Sequence, residues 1–351
     1  MFLYFLDRKI LVQVQFDLMK MYMASFKSKE TARAYYTHLN KYSSNDLSQL
    51  LGVTQREAED KLINFIITNK ESKSWAALHN YVAAVAKFYL INDVPLNLTR
   101  VKRFMPEQIK LRKDRGYRDD EILKVLELAN ERTRALILLL ASSGMRIGAI
   151  PLLRVGHLED RGDIYKITVY ENTNNEYFTF CTPECKRALD TYFEIRKRHG
   201  EIINDKHSPV IREQYDKRSD FAARHPKPTT KSAITHLLVE ILECTGLRAT
   251  PQEHEVKLAH GFRKFFNTQL VSTRINPLIK ELLMGHLHIG LESSYYRPQS
   301  EDIQMEYEKA IDALTIDPTN RLLKKVEKLE VEKTQFDRLA AQIKALEAKI
   351  K

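Results

Sequence analysis

The sequence of 351 residues contains few cysteines, glycines and prolines, and it lacks a long apolar run. Three cysteines cannot build a disulfide framework, which indicates a reducing, intracellular compartment, and we expect a cytoplasmic protein. Eleven glycines and 11 prolines in a chain that is 43% apolar exclude a fibrous or disordered protein. No stretch approaches the roughly 18 apolar residues of a membrane-spanning helix, and the apolar residues 1–6 are too few for a signal peptide.

The sequence also lacks cysteine and histidine residues at the spacing that a zinc site requires. Cys181 and Cys185 are separated by three residues, but a structural zinc site needs a second pair of cysteine or histidine ligands, and no such pair follows. We therefore expect neither a metal site nor another cofactor.

Positive charge, in contrast, is in excess. The chain has 56 Lys and Arg against 46 Asp and Glu, a formal net charge of +10. This surplus favours a polyanionic partner, either nucleic acid or an anionic membrane surface. Because membrane segments are missing, we expect nucleic acid and no membrane association.

The length predicts about two domains of roughly 150 residues each, and the hydrophobic pattern changes near residue 115. Helical periodicity is clearest at 29–42, 54–67 and 74–91, with Thr54 as an N-cap. Segment 48–58 fits either a helix-turn-helix or a junction in a small bundle, and the bundle is favoured. We predict four regions: a helical N-terminal domain over 1–101, a basic linker over 102–117, a second domain over 118–317 and a terminal helix over 318–351.

The predicted linker and its edge carry seven basic residues against Glu107 and Asp114. The segment is either a solvated connection or a strap along phosphates. Its candidate nucleic-acid contacts are Lys102, Arg103, Lys110, Arg112, Lys113, Arg115 and Arg118.

The predicted fold class is mainly α with a small antiparallel β-sheet (α+β). In the second domain we predict helices at 119–129, 132–142, 183–199, 230–245, 259–271 and 277–284. Strands are predicted at 163–170 and 176–182, as a hairpin around the polar turn 171–175, with 208–212 as a third short strand. The terminal segment has a coarse seven-residue apolar repeat, which fits a weak coiled coil or one amphipathic helix docking on a neighbouring protomer.

Three short blocks of the second domain carry arginine and histidine residues that suit phosphate chemistry. A buried helix runs into Gly-Met-Arg, ending at Arg146. In His-Gly-Phe-Arg, the i, i+3 spacing puts His260 and Arg263 on one helical face. Leu-Leu-Met-Gly precedes His286, and Tyr295 follows nine residues later.

These blocks resemble the tyrosine recombinase (phage integrase) family, in which Gly-x-Arg, His-x-x-Arg, Leu-x-Gly-His and the tyrosine occur in this order. The resemblance covers about residues 118–315, and the wording His-Gly-Phe-Arg-Lys-Phe-Phe and Tyr-Tyr-Arg-Pro is most similar to archaeal chromosomal and mobile-element integrases. It implies a helical core-binding domain, a catalytic domain, and a tetramer on paired DNA sites. The implied activity is site-specific cutting and rejoining of duplex DNA through a 3′-phosphotyrosine, without metal or ATP.

The residue types fit that chemistry. Arg146 and Arg263 can clamp the charged non-bridging oxygens bidentately. A tyrosine hydroxyl, with a reference pKa near 10, attacks phosphorus once His260 takes its proton, and His286 donates a hydrogen bond to a non-bridging oxygen.

Two tyrosines compete for the role of nucleophile. The nine-residue step from His286 and the following x-Arg-Pro favour Tyr295. Tyr296 is the reserve, because a slip of one residue in the 287–294 loop would exchange the two. Either could instead be an aromatic residue packed at a helix end.

The sequence departs from the family pattern at two positions. Ala149 stands where the family usually has an acidic residue, and the turn 171–175 lacks the lysine that serves as general acid. Lys166 in the first strand is the nearest replacement, although strand lysines are usually solvated. These departures support an alternative, a catalytically weakened DNA-binding accessory protein; a type IB topoisomerase-like activity and a helix-bundle scaffold are further alternatives.

Overall fold

The computed structural model describes residues 18–108, 115–204, 206–216, 218–248, 256–286 and 298–322, together with residues 326, 329–330, 333–335 and 337–339 of the tail. The chain divides into two compact units, residues 1–111 and 112–351, and each has its own hydrophobic core. The predicted linker contacts Lys110, Arg112 and Lys113 lie outside the described residues. Among the helices that are described, none is both long and apolar enough to cross a membrane.

The first unit is helical, as predicted. After helical residues 18–24, its helices are Lys29–Tyr42, Gln55–Asn69, Trp75–Ile91 and the short Leu98–Lys102. Thr54 caps the second of them, since its side chain accepts a hydrogen bond from the Glu57 N–H while the Glu57 carboxylate accepts one from the Thr54 N–H. The preceding Leu47–Leu50 is a single 3-10 turn, so segment 48–58 is a bundle junction.

The second unit is built around a buried helix. Residues 135–145 are all buried, and the helix that contains most of them, Glu131–Ser143, packs against Pro183–Arg198 and Leu258–Ser272. The remaining helices are Asp119–Glu127, Asp220–Arg224, Lys231–Cys244, Pro277–Leu283, Ser300–Glu308 and Ile311–Leu314. The six helices predicted for this region are confirmed to within two residues at each end.

The sheet has three antiparallel strands in the order β1 (Leu158–Asp160), β2 (Tyr165–Val169) and β3 (Tyr177–Phe180). The predicted hairpin is confirmed, with Lys166 opposite Phe180 and Val169 opposite Tyr177. The prediction of a third strand at 208–212 was wrong. That segment forms only isolated bridges, Arg154 to Pro209 and Arg212 to Pro228, and a proline without an N–H cannot extend a ladder.

The tail is helical where it is described. Residues 318–322 and the further described positions up to 339 are helical, as predicted. The start of this segment is fixed to the second unit, because Arg321 binds Asp119 and the Glu184 carboxylate accepts a hydrogen bond from the Ile316 N–H at 2.8 Å.

Candidate active site

The three sequence blocks meet at one cavity of about 520 Å³ in the second unit. Arg146, His260, Arg263 and His286 all line it. Arg146 follows the buried helix, His260 and Arg263 lie in the helix Leu258–Ser272, and His286 follows the helix Pro277–Leu283. Four residues from distant parts of the chain therefore line one cavity. Two of them are arginines, which carry a positive charge, and two are histidines, which can accept or donate a proton.

Arg263 joins the three blocks directly. Its side chain is buried, and its Nη1 donates to the Gly144 carbonyl oxygen at 2.7 Å. Its Nη2 donates to the Met284 carbonyl oxygen at 2.6 Å and to Nε2 of His286 at 2.8 Å. Since a guanidinium has five N–H donors, these three bonds leave at most two donors for a ligand.

The glycines of the blocks are required by the backbone. Gly144 ends the helix Glu131–Ser143 with φ +60°, and a Cβ there would lie 2.2 Å from Cδ1 of Phe266. Gly285 has φ +65°, and a Cβ there would lie 2.5 Å from Cε1 of Tyr177. Both positions combine a left-handed conformation with a close approach, which only glycine accommodates without strain.

His286 is held in a defined tautomer. Arginine can only donate, so Nε2 of His286 accepts the bond from Arg263, and Nδ1 carries the proton that it donates to Oε2 of Glu281 at 2.5 Å. Both ring nitrogens are engaged in these bonds, and the expected donation from His286 to a phosphate oxygen stays a prediction. Burial works against ionisation of Glu281, but hydrogen bonds from Lys280 and His286 hold its pKa below its ordinary value.

The cavity is electropositive. Burial and the charge of Arg146 lower the pKa of Arg263. No carboxylate within the described ranges pairs with either guanidinium, and the Arg146 side chain is exposed. Burial raises the pKa of the neighbouring Tyr177 to about 12, although the Arg263 charge opposes the shift. The arrangement favours an anionic ligand.

A sequence model of the phage integrase family matches residues 117–302, more than half of the chain. The chain belongs to the phage integrase family. It is similar to the tyrosine recombinase XerC of Leptospira interrogans serogroup Icterohaemorrhagiae serovar copenhageni, with 21% identity over 243 residues that cover 68% of this chain and 71% of the relative.

Solved structures of integrases share the fold. A lambda integrase tetramer bound to a Holliday junction is similar with a TM-score of 0.55 at 15% identity, over 82% of this chain and 77% of that chain. The Tn1549 transposon integrase in complex with circular intermediate DNA gives 0.54 at 15% identity, over 82% and 97%. At this identity the likeness concerns the fold alone, and it confirms the predicted α+β class.

Other predicted site residues of this family member lie elsewhere. Lys166 does not line the cavity: its ammonium lies 3.4 Å from Oε2 of Glu159 and 4.7 Å above the Phe178 ring. Ala149 is buried in the 3-10 turn Ile147–Leu152. The candidate nucleophiles, Tyr295 and Tyr296, lie outside the described residues.

The predicted linker contacts divide into paired and unpaired cations. Arg115 donates two hydrogen bonds of 2.7 Å to the buried Glu121 carboxylate, and Arg118 contacts Asp120 at 3.2 Å. Lys102 and Arg103 are exposed, and neither side chain pairs with a carboxylate in the part of the chain that is described. Among the described candidates, Lys102 and Arg103 are therefore the ones available to phosphates.

Three residues of the site escaped the sequence reasoning. Tyr170 and Lys231 line the cavity, and Glu281 binds His286. Tyr170 directly follows β2 with φ +57°, which is unusual for an aromatic residue, but no sequence signal marks such strain. Glu281 lies five residues before His286, a spacing that could have suggested the pair. The described residues include no group of three His, Cys, Asp or Glu side chains that could hold a metal ion.

Proposed function

We propose that this protein is a site-specific DNA recombinase that cuts and rejoins duplex DNA through a 3′-phosphotyrosine intermediate. The observation that carries the proposal is the cavity in which Arg146, Arg263, His260 and His286 meet, with neither guanidinium paired to a carboxylate among the described residues. A phosphodiester brings one negative charge, and the pentacoordinate transition state concentrates charge on the non-bridging oxygens. Two cations stabilise the more highly charged transition state more than they stabilise the ground state. This difference lowers the activation free energy, which is the condition for catalysis.

The two arginines divide the work unequally. Arg146 is exposed and keeps all five N–H donors for the scissile phosphate, so it makes the bidentate contact. Arg263 has three donors bound to Gly144, Met284 and His286, and it therefore contributes its charge and at most two hydrogen bonds. His286 orients Arg263, and Glu281 holds the tautomer of His286 that accepts this bond.

Proton transfer to and from the tyrosine is assigned to His260, which lines the cavity from the helix Leu258–Ser272. As general base it takes the proton of the attacking hydroxyl and returns it during rejoining. Tyr295 is the proposed nucleophile on sequence grounds, with Tyr296 as reserve. The phosphotyrosine bond conserves the energy of the broken phosphodiester, so the reaction as proposed draws on neither ATP nor a metal ion.

Partners follow from the relatives. The lambda integrase neighbour is a tetramer bound to a Holliday junction, and the Tn1549 neighbour is bound to circular intermediate DNA. We propose the same kind of partners here: duplex DNA with a specific target site, and self-association into a tetramer on paired sites. The residue sequence of the motifs further supports the proposal that this protein is an integrase of the kind found in archaeal chromosomes and mobile elements.

The test is capture of the covalent intermediate. DNA covalently attached to the protein in cells would be identified, and a nicked suicide duplex of that sequence would then trap the adduct on a denaturing gel. Tyr295→Phe is expected to abolish the adduct while binding DNA nearly as well as the wild type, and Tyr296→Phe is the matched control. An adduct that persists in Tyr295→Phe and disappears in Tyr296→Phe would exchange the two roles.

A second candidate is a DNA-binding accessory protein with weakened catalysis. Ala149 in place of an acidic residue and the position of Lys166 outside the cavity favour it. This candidate predicts sequence-specific binding without an adduct on the suicide duplex. Relaxation of a supercoiled plasmid that lacks the target would instead indicate a topoisomerase-like activity.

A further inference from the structure

The leaving group of the proposed reaction needs a proton donor that the residues assigned so far do not supply. When the tyrosine oxygen bonds to phosphorus, the bond from phosphorus to the 5′ oxygen breaks, and an unprotonated 5′ alkoxide is a poor leaving group. A positioned acid is expected to accelerate such a step by about 10²- to 10⁴-fold. We propose that Lys231 is this general acid, an inference that rests on the proposed function.

The arginines and histidines of the cavity, and Lys166, are unsuited to the role. Arg146 and Arg263 do not release a proton in proteins. His286 donates its Nδ1 proton to Glu281 and accepts at Nε2 from Arg263, so neither nitrogen has a proton to give to the DNA. His260 receives the tyrosine proton in the same step. Lys166 is held at Glu159 and does not line the cavity.

Lys231 has the position that the role requires. It lines the cavity together with Arg146, His260, Arg263 and His286, and it is the first residue of the helix Lys231–Cys244. Its side chain is exposed and makes no hydrogen bond or ion pair with any residue that the structure describes. Lys166, Lys186 and Lys280, in contrast, each pair with a carboxylate.

The backbone of Lys231 is fixed by the core. Ile234 and Leu238, on the same helix, are completely buried, and the helix packs against Leu258–Ser272 and the turn Ile147–Leu152. These two elements contain Arg263 and directly follow Arg146, so the lysine is anchored beside both arginines. The placement works against helix stability, because the positive end of the helix dipole disfavours a cation and no acidic residue lies in the first turn. Such a local conflict is expected where a residue serves a ligand.

The proton balance of the step is then complete. The tyrosine hydroxyl gives its proton to His260 as its oxygen bonds to phosphorus. The Lys231 ammonium gives a proton to the 5′ oxygen as the bond from phosphorus to that oxygen breaks. In rejoining, the neutral amine takes the proton from the attacking 5′ hydroxyl, and His260 returns the proton to the tyrosine.

A DNA analogue tests this role directly. In a suicide duplex whose scissile phosphate carries sulfur in place of the bridging 5′ oxygen, the leaving group is a thiolate that needs no protonation. We expect Lys231→Ala to cleave the oxygen substrate about 10²- to 10⁴-fold more slowly than wild type, and to cleave the sulfur substrate at nearly the wild-type rate. Lys231→Arg, which keeps the charge but cannot release a proton, should behave in the same way.

Control variants define the other outcomes. Lys186→Ala should cleave both substrates normally, because its ammonium binds Asp160 at 2.8 Å and lies away from the cavity. Arg146→Ala should be slow on both, because sulfur does not replace a contact to the non-bridging oxygens. The proposal would be overturned if Lys231→Ala cleaved both substrates at the wild-type rate, or if it were slowed equally on both. It would also be overturned if the sulfur substrate restored the cleavage rate of Lys166→Ala or Tyr170→Phe and not that of Lys231→Ala. A wild-type protein that forms no adduct with either substrate would refute the recombinase function itself.

Discussion

Two pairs of arginines in the second unit, Arg196 with Arg212 and Arg146 with Arg263, differ in whether a carboxylate of the protein binds them. Arg196 and Arg212 are buried and share the buried carboxylate of Glu201, with Arg196 Nε at 3.0 Å and Arg212 Nη1 at 2.6 Å from Oε2. Arg146 and Arg263 line a cavity and have no carboxylate partner among the described residues. The first pair is held together by a carboxylate within the protein and serves the fold. The second leaves its charge available to an anionic ligand of the kind proposed above.

The largest expected effect is a loss of stability when the Glu201 carboxylate, which binds Arg196 and Arg212, is removed. Glu201→Gln leaves two buried guanidiniums without their counter-charge, and loss of one partner of a buried ion pair costs about 3–5 kcal/mol of unfolding free energy. Chemical denaturation measures this loss. Glu194→Gln is the matched control, because its pair with Lys197 is exposed, and we expect no measurable change there. Equal stability of the two variants would contradict a structural role for the Glu201 cluster.

Arg146→Ala should produce the opposite pattern. We expect adduct formation to fall about 10²- to 10³-fold, the usual cost of one charge-stabilising donor, while the midpoint of thermal unfolding stays that of the wild type or rises slightly, since a cation near Arg263 is removed. Single-turnover cleavage and a thermal melt of the same preparation provide the two readouts. A large loss of stability would mean that Arg146 belongs with the structural arginines.

Glu281→Gln extends the comparison to the histidine that contacts Arg263. We expect about a 10-fold slower cleavage, in line with a hydrogen bond to a charged group, because the amide no longer fixes the tautomer of His286. The stability difference from wild type should depend on pH with a known sign. Because the pKa of Glu281 is lowered in the fold, the carboxylate stabilises the protein above its ordinary pKa of 4.5, and this contribution is lost as the pH falls through the lowered value. Denaturation at pH 6 and at pH 3 measures both limits, and an equal difference at both would exclude an ionised Glu281.

The smallest effect concerns the basic residues at the start and end of the predicted linker. Arg103 is unpaired among the described residues and should contact a phosphate, so Arg103→Ala is expected to reduce the slope of log affinity against log salt by about 0.9. Arg115 is neutralised by Glu121, and Arg115→Ala should leave the slope nearly unchanged. DNA binding titrated between low and high salt compares the two variants. A wild-type slope near zero would rule out phosphate binding as the source of affinity.

Local signals in the sequence explain which features could be predicted. The helices Lys29–Tyr42 and Trp75–Ile91 begin after Ser28 and Ser74, whose side chains cap them, so their boundaries could be predicted from caps and periodicity. The strand Leu158–Asp160 has no such signal, because it is short and mostly exposed and forms only by pairing with β2. The segment 208–212 has β-branched residues, but its bridges fall on prolines and on a buried arginine.

The residues of the candidate site also divide into those that the sequence predicts and those that it does not. Arg146, His260, Arg263 and His286 lie in short blocks with recognisable spacing, and the sequence placed them together through the family resemblance. Lys231 comes from a helix whose N-terminal sequence is unremarkable, and its position at the cavity depends on how Ile234 and Leu238 pack. Unequal use of the two arginines could not be predicted either, because it depends on which carbonyl groups Arg263 reaches.

The bonds of Arg263 also determine when the site exists during folding. Its guanidinium links a carbonyl 119 positions away along the chain to another 21 positions away, and both contacts form only after the surrounding helices have packed. A newly synthesised or partly unfolded chain therefore has the histidines and arginines but not the cavity in which they meet. Binding of an anionic ligand at this cavity is therefore expected only of fully folded molecules.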